Sequence, residues 1–271
     1  MSERTAVVLT HRRREEIAHA VEILERMAAE AGVRLHWGDD DLDMDLHEGI
    51  EVVITLGGDG TILSALRRFS GTGIPIFAVN FGQVGFLATI EPEQCEEGFR
   101  RAFSGDYELM TLPAVGIAAP GLRHAAINDV SITRRPGGRV AVLSYVLGSE
   151  ELGRVRCDGI VVATPAGSTG YNLAIGGPVL AWGVEGYVVS FLAPHSLTAR
   201  PLVVSPRDTI TVCNRSTGGE AVDVSVDGRP VGELLPGDSL DCRFVAGAAQ
   251  LAQVPGTTFY QRLRQKFGHL V

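Results

Sequence analysis

The sequence predicts α/β plus all-β architecture: a parallel α/β domain joined to an antiparallel β domain. Through the first hundred residues, short apolar runs alternate with helix-spaced apolar stripes, as in strands joined by crossover helices. From about Tyr107 the runs become short and rich in Val, Ile and Thr, separated by Gly, Pro and Asp, which is the pattern of antiparallel strands. Helical spacing returns only at the end, where Phe259, Leu263 and Phe267 recur every four residues.

Taken in order, Ala6 to Leu9 reads as the first strand. Glu15 to Ala31 reads as a helix, with Ile17, Val21, Leu24 and Ala28 on one face and charges on the other, stopped by Gly32. Val33 to Trp37 is a second strand, and the acidic stretch Asp39 to Glu48 is expected to be a solvated loop. Glu51 to Leu56 and Pro75 to Val79 read as buried strands flanking a helix over Thr61 to Phe69, and Glu91 to Phe103 as the last helix of the block. No amphipathic helix is expected from Tyr107 to about Leu251, and Asp227-Gly228 marks a hairpin between two alternating runs. The helix Thr257 to Phe267 is expected to pack back onto the first block. The domains are thus residues 1–107, Rossmann-like and rejoined by 252–271, and a β-rich domain over 108–251.

Composition narrows the function. The 271 residues are 45% hydrophobic and 21% charged, enough for real cores, and 24 Lys and Arg against 32 Asp and Glu give a formal net charge of −8. Neither nucleic acid nor an anionic membrane surface is expected as a partner. Cys95, Cys157, Cys213 and Cys242 are too far apart for a zinc or redox motif and are expected to be reduced thiols. With no signal-peptide pattern and no spanning run, a cytoplasmic location is expected.

The segment Leu56-Gly57-Gly58-Asp59-Gly60-Thr61 lies between a buried strand and a helix. Glycines let backbone approach a ligand, and the helix start offers free N–H groups to a phosphate. A carboxylate there suits a general base for an attacking hydroxyl, or an acid that helps hold magnesium. A helix cap on a tight turn would use the same residues. The segment is neither a P-loop nor the GxGxxG fingerprint.

Gly57 to Thr61 resembles the GGDGT motif shared by NAD kinases, diacylglycerol and sphingosine kinases, and phosphofructokinases. The long segment from Asp158-Gly159-Ile160 through Thr164-Pro165-Ala166-Gly167-Ser168-Thr169-Gly170-Tyr171 to Gly176-Gly177-Pro178 resembles the glycine-rich signature of NAD kinases. Asn128-Asp129, Asn80 to Leu87, and Pro194-His195-Ser196-Leu197 with Arg200-Pro201-Leu202 resemble three further segments of that family, so the likeness covers nearly the whole chain. It implies a kinase that moves the terminal phosphate of ATP, or of another donor, to the 2′-hydroxyl of the adenosine ribose of NAD. NAD and ATP would be the substrates, Mg2+ would accompany the donor, and the chain would form a homo-oligomer, a dimer or tetramer through the β domain. The rivals are a lipid kinase with the same loop, disfavoured by the acidic net charge, and a non-catalytic NAD(P) sensor.

On this reading Asp59 is the catalytic base, Gly57, Gly58, Gly60 and Thr61 cradle donor phosphates, and Asp59 and Gly60 also meet NAD. NAD is expected to touch Asn128, Asp129, Arg156, Asp158, Thr169, Gly170, Tyr171, Asn172, Leu173 and Ala174, with no metal ligands assigned. Ser168 and Thr169 could bond the base or ribose, Tyr171 could stack, and Arg156 and Asp158 place opposite charges on one side of a strand. His195 reads as a structural histidine within an apolar strand. Arg12, Arg13 and Arg14, after the first strand, could touch the donor or merely open a helix. Ala166, Gly170 and Ala174 depart from the family's usual Thr or Ser, Ala, and Ser. Each lost hydrogen bond is worth on the order of 1 kcal/mol.

Overall fold

The computed structural model describes residues 4–38, 49–82 and 85–268, so the acidic stretch at 39–48 lies outside the described residues. The chain divides into two compact units, one made of residues up to Leu112 together with those from Gly247 onward, the other of Pro113–Ala246.

In the first unit β1 (Arg4–Thr10), β2 (Val33–Gly38), β3 (Ile50–Gly57) and β4 (Pro75–Asn80) lie parallel in the order β2-β1-β3-β4. A 3-10 turn over Arg14–Ile17 leads into α1 (Ala18–Ala31), where the sequence pattern suggested one continuous helix. Its stripe Ala20, Val21, Leu24, Met27 and Ala28 is buried, and it ends where Gly32 takes a left-handed φ of 65° and returns its N–H to Ala28 and Ala29. Helix α2 (Asp59–Arg68) starts directly after β3 and buries Ile62, Ala65 and Leu66. A capping box of Glu91 and Gln94 opens the turn before α3 (Cys95–Ser104), which buries Phe99, Ala102 and Phe103.

Alternate residues of the sheet, among them Ala6, Val8, Ile54, Leu56, Phe77 and Val79, share one core with α1 and α3. Residues Val52–Gly57 of β3 and Ile76–Asn80 of β4 are all buried, as in a parallel sheet covered on both faces. The chain returns to this unit with Gln250 and Leu251 parallel to Pro75 and Ile76, then a C-terminal helix, Phe259–Phe267, opened by a Thr258–Gln261 capping box.

The second unit carries two antiparallel sheets. Its strands are β5 (Glu108–Ala119, entering from the first unit), β6 (Leu122–Ala126), β7 (Asp129–Arg134), β8 (Ala141–Leu147), β9 (Glu150–Cys157), β10 (Gly159–Ala163), β11 (Tyr187–Leu192), β12 (Leu202–Val204), β13 (Thr209–Asn214), β14 (Val222–Val226), β15 (Arg229–Leu234) and the first half of β16 (Ser239–Gln253). One sheet runs β12-β11-β10-β7-β14-β15, and the other runs β16-β13-β8-β9 with the β5–β6 hairpin attached to β16. Val130, Ile132, Ile160, Val162 and Val189 of the first share a core with Leu143, Val155, Ile210, Val212 and Leu240 of the second. Tyr187, fully buried, ties the two sheets: its hydroxyl donates toward the carbonyls of Asp208 and Cys242 and accepts the Ile210 N–H.

Two features of this unit bear on the site. The Asp227-Gly228 turn joins β14 to β15 with both residues at positive φ, 48° and 73°, the conformation that favours Asp-Gly in a two-residue hairpin. Where the sequence suggested no helix, a 3-10 turn over Gly167–Thr169 runs into one helical turn, Tyr171–Ala174, too short and glycine-rich to leave a periodic signal.

Candidate functional site

In the first unit the site forms where β3 ends and α2 begins, outside the carboxyl ends of parallel strands. The three glycines there differ in purpose. A Cβ on Gly57 would stand 2.3 Å from Thr61 Oγ1, so this glycine is required by packing, whereas a Cβ on Gly60 would meet nothing within 4 Å. Gly60 is the exposed one that faces open space, as a backbone open to a phosphate must. No side chain caps the start of α2.

Asp59 is the first residue of that helix, and its side chain keeps 37% of its exposure. Its two oxygens accept the backbone N–H groups of Phe86, at 3.1 Å, and Leu87, at 3.3 Å. A Cβ on Gly85 would fall 2.2 Å from Asp59 Oδ1, so only glycine lets the loop close on the carboxylate. The C-terminal helix completes the surroundings. Lys266 Nζ lies 3.8 Å from Asp59 Oδ2 and 4.9 Å from the centre of the Phe86 ring, which Phe259 and Phe267 flank at 6.0 and 5.8 Å. Arg262, almost fully buried, donates to the Ala88 and Thr89 carbonyls just beyond the clamp.

In the second unit three segments converge on Asn128 and Asp129. The Asp227 carboxylate accepts the N–H groups of Ile127 (3.1 Å), Asn128 (2.8 Å) and Asp129 (3.2 Å). From the other side, Thr164 donates its hydroxyl to the Ile127 carbonyl at 2.6 Å and its N–H to the Asn128 carbonyl at 2.9 Å. Gly167 packs so closely that a Cβ would stand 2.0 Å from the Asn128 carbonyl oxygen. Held in this way, the Asn128 side chain has a buried Oδ1 with no hydrogen-bond partner. A buried acceptor left unpaired costs about 1–3 kcal/mol, a cost expected at a position built to meet a ligand. Beside it Asp129 is 8% exposed, and burial together with the neighbouring Asp227 carboxylate pushes its carboxyl up to about 7. At neutral pH it is therefore partly a neutral acid, able to donate as well as accept.

Asp158 does not pair with Arg156. It lies past the end of β9, and its carboxylate receives two guanidinium N–H groups of Arg134, at 2.5 and 3.4 Å, a hydrogen-bonded contact that holds it below the usual carboxylate range. Arg156 is exposed and lines an open groove of about 660 Å³ with Arg134 and Arg139. Tyr171 stays 39% exposed, and partial burial, followed by the charges of Asp129 and Asp158, pushes its hydroxyl up.

Other residues singled out in the sequence are internal. Ser168 is fully buried, its hydroxyl donating to Pro165 O and accepting the Leu180 N–H, and Thr169 donates to Ala166 O at 3.1 Å. Asn172 is fully buried as well, spending its amide on Ser168 O, Pro178 O and the Ser190 hydroxyl. These groups shape the loop and leave Gly170, Leu173 and Ala174 at its surface. His195 is exposed and outside any strand, so its structural role in an apolar strand does not hold. Of the arginines after β1, Arg12 donates to Phe81 O at 2.7 Å and pairs with Glu16 at 3.5 Å, while Arg13 is exposed at the turn before α1.

Sequence reasoning missed Asp227 as an organiser, although its turn was legible. It also missed Arg134 as the partner of Asp158, and Lys266. Charge-bearing residues from 24 to about 200 positions from their partners leave no local pattern.

Residues 7–107 match the family described as ATP-NAD kinase N-terminal domain, and residues 127–254 the ATP-NAD kinase C-terminal domain. An NAD kinase of Symbiobacterium thermophilum is 35% identical over 279 residues, covering 96% of this chain and 97% of that protein. One of Gemmatimonas aurantiaca is 36% identical over 225 residues, covering 81% and 78%. Among solved structures, an Archaeoglobus fulgidus NAD kinase in complex with ATP superposes with a TM-score of 0.79 at 26% identity, over 98% of this chain and 97% of that one. Yeast NADH kinase complexed with NADH gives 0.82 at 22% identity, over 97% and 87%, a likeness of fold. With its glycine-rich carboxylate loop and its Asn-Asp turn in place, the chain belongs to the NAD kinase family.

Proposed function

We propose that the protein transfers the terminal phosphoryl group of ATP to the 2′-hydroxyl of the adenosine ribose of NAD, giving NADP. The observation that carries the assignment of chemistry is the Asp59 carboxylate. It is pinned through both oxygens by the Phe86 and Leu87 N–H groups at the mouth of a glycine loop, yet still open to solvent. A carboxylate so fixed keeps lone pairs for an incoming hydroxyl and is already oriented for it.

Gly57, Gly58, Gly60 and Thr61 form the loop that holds the donor phosphates at the start of α2, where the Thr61 N–H is already donated to the Gly58 carbonyl at 2.9 Å. Asn128 and Asp129 take the polar edges of NAD, supported by the unpaired Asn128 Oδ1, and Tyr171 offers its exposed ring for stacking. Arg156 and Asp158, with Thr169, Gly170, Leu173 and Ala174, complete the contacts; Asn172 acts by holding that loop in shape. Asp59 accepts the proton of the 2′-hydroxyl as its oxygen attacks the terminal phosphorus, and the electron pair of the breaking bond leaves with ADP.

Among the described residues no three His, Cys, Asp or Glu side chains gather as cation ligands. Magnesium nonetheless fits, because it keeps waters and phosphate oxygens and needs only one or two carboxylates, of which Asp59 is at hand. Bound with the donor, it would neutralise phosphate charge. The protein acts in the cytoplasm; among the described residues no helix is long and apolar enough to cross a membrane. Self-association through the β-rich unit is supported by edge strand β12, where Leu202 and Val203 are 36% and 49% exposed.

The test is NADP formation from NAD, ATP and Mg2+, with the new phosphate located by NMR. A 2′-phosphorylated product is expected. Tight NAD binding without turnover on any donor would overturn the kinase reading in favour of a sensor.

A further inference from the structure

We propose that Lys266, on the C-terminal helix, contacts the phosphoryl group in flight and is part of the catalytic centre. This rests on the reading of Asp59 as the acceptor of the ribose proton. A hydroxyl bonded to that carboxylate lies about 2.7 Å from it, and in a reactive arrangement the terminal phosphorus lies about 3–3.5 Å beyond the hydroxyl oxygen. The phosphoryl oxygens therefore come within a few ångströms of Asp59. Lys266 Nζ lies 3.8 Å from Asp59 Oδ2, a comparable reach from the same carboxylate.

The position of the ammonium is built into the fold. Phe259 and Phe267 flank the Phe86 ring, with interplanar angles of 28° and 43°, and Lys266 lies over the same ring. One turn earlier on the helix, Arg262 holds the carbonyls of Ala88 and Thr89, which continue the segment whose N–H groups hold Asp59. The helix thus grips the segment that orients the carboxylate and delivers a cation to it. An ordinary surface ion pair needs none of this support and adds little stability.

In the transfer, the 2′-hydroxyl proton passes to Asp59, the ribose oxygen bonds to the terminal phosphorus, and the bond to the bridging oxygen breaks with its electron pair going to ADP. Lys266 forms and breaks no covalent bond. Its ammonium, while still beside Asp59, reaches the equatorial phosphoryl oxygens, where a fixed positive charge is most effective. Its three N–H donors allow both contacts at once.

The test is a steady-state comparison of Lys266→Met, Lys266→Arg and Asp59→Asn in the full-length protein, with NAD binding and thermal unfolding measured on each. Lys266→Met keeps the apolar stem over Phe86. It is expected to lower kcat/KM for ATP by about 100-fold, to leave the Kd for NAD and the unfolding temperature unchanged, and to be partly rescued in Lys266→Arg. Wild-type ATP kinetics in Lys266→Met would overturn the proposal, as would a loss matched by a lower unfolding temperature and not rescued by arginine. An inactive Asp59→Asn beside a fully active Lys266→Met would reject Lys266 alone. An active Asp59→Asn beside a donor defect in Lys266→Met would reject the proton-acceptor reading and keep the phosphoryl contact.

Discussion

Replacing Asp129 by Asn should stabilise the protein, and more so as pH rises. Folding raises the Asp129 carboxyl from its ordinary 3.8 to about 7, because burial strips its water and Asp227 stands nearby. Below about pH 4 the folded and unfolded chains both hold the proton and the site costs nothing. Between about pH 4 and 7 the unfolded chain releases the proton while the folded chain keeps it, so stability falls with rising pH. Above about pH 7 both forms are ionised and the full penalty is present. At 1.36 kcal/mol per pH unit that penalty is about 4 kcal/mol at most. Water reaching a carboxyl that remains 8% exposed lowers it.

Asn has nearly the same shape and no proton to lose, so the variant lacks this slope. Its stability advantage should grow by about 2–3 kcal/mol between pH 5 and pH 8. For a chain of this size each kcal/mol moves the unfolding midpoint by roughly 2–4 °C. Urea unfolding of both proteins at pH 5 and pH 8 measures the difference. Parallel stability curves, or an equal destabilisation by Asn at both pH values, would refute the assignment of a buried, late-ionising carboxyl.

Asn128→Ala removes an acceptor that has no partner in the free protein, so stability should match wild type or exceed it by up to about 1–3 kcal/mol. Calorimetric NAD affinity should drop at least about tenfold, the value of one good hydrogen bond. Gly85→Ala drives a methyl to 2.2 Å from Asp59 Oδ1, so the carboxylate must swing away; kcat should fall by about 100-fold with little change in the Kd for NAD. Gly167→Ala meets the Asn128 backbone at 2.0 Å, which cannot move as a flexible side chain can. A loss of about 3 kcal/mol or more in urea unfolding, together with lost NAD binding, is expected.

Much of this molecule is legible in its sequence because burial leaves periodic traces. The continuous apolar runs of β3 and β4, the four-step stripe of α1, the left-handed stop at Gly32 and the Asp227-Gly228 turn are local signals with local causes. The glycine-rich carboxylate loop is legible for the same reason. Hydrogen-bond direction is not. A serine or an asparagine in a glycine-rich segment can face a ligand or satisfy its own loop, and Ser168 and Asn172 do the latter. Asp158 stands two residues after Arg156 but pairs with Arg134 across neighbouring strands β7 and β10, a choice made by sheet register. Lys266 reaches Asp59 from the far end of the chain only because three phenylalanines pack together.

The proposed acceptor of the attacking ribose hydroxyl's proton is Asp59. Asp59→Asn keeps the side chain's shape and removes its basicity, and kcat should fall by about 10²–10⁴-fold while the Kd for NAD stays within about twofold. Near-normal turnover, or an equal loss in turnover and NAD affinity, would contradict it.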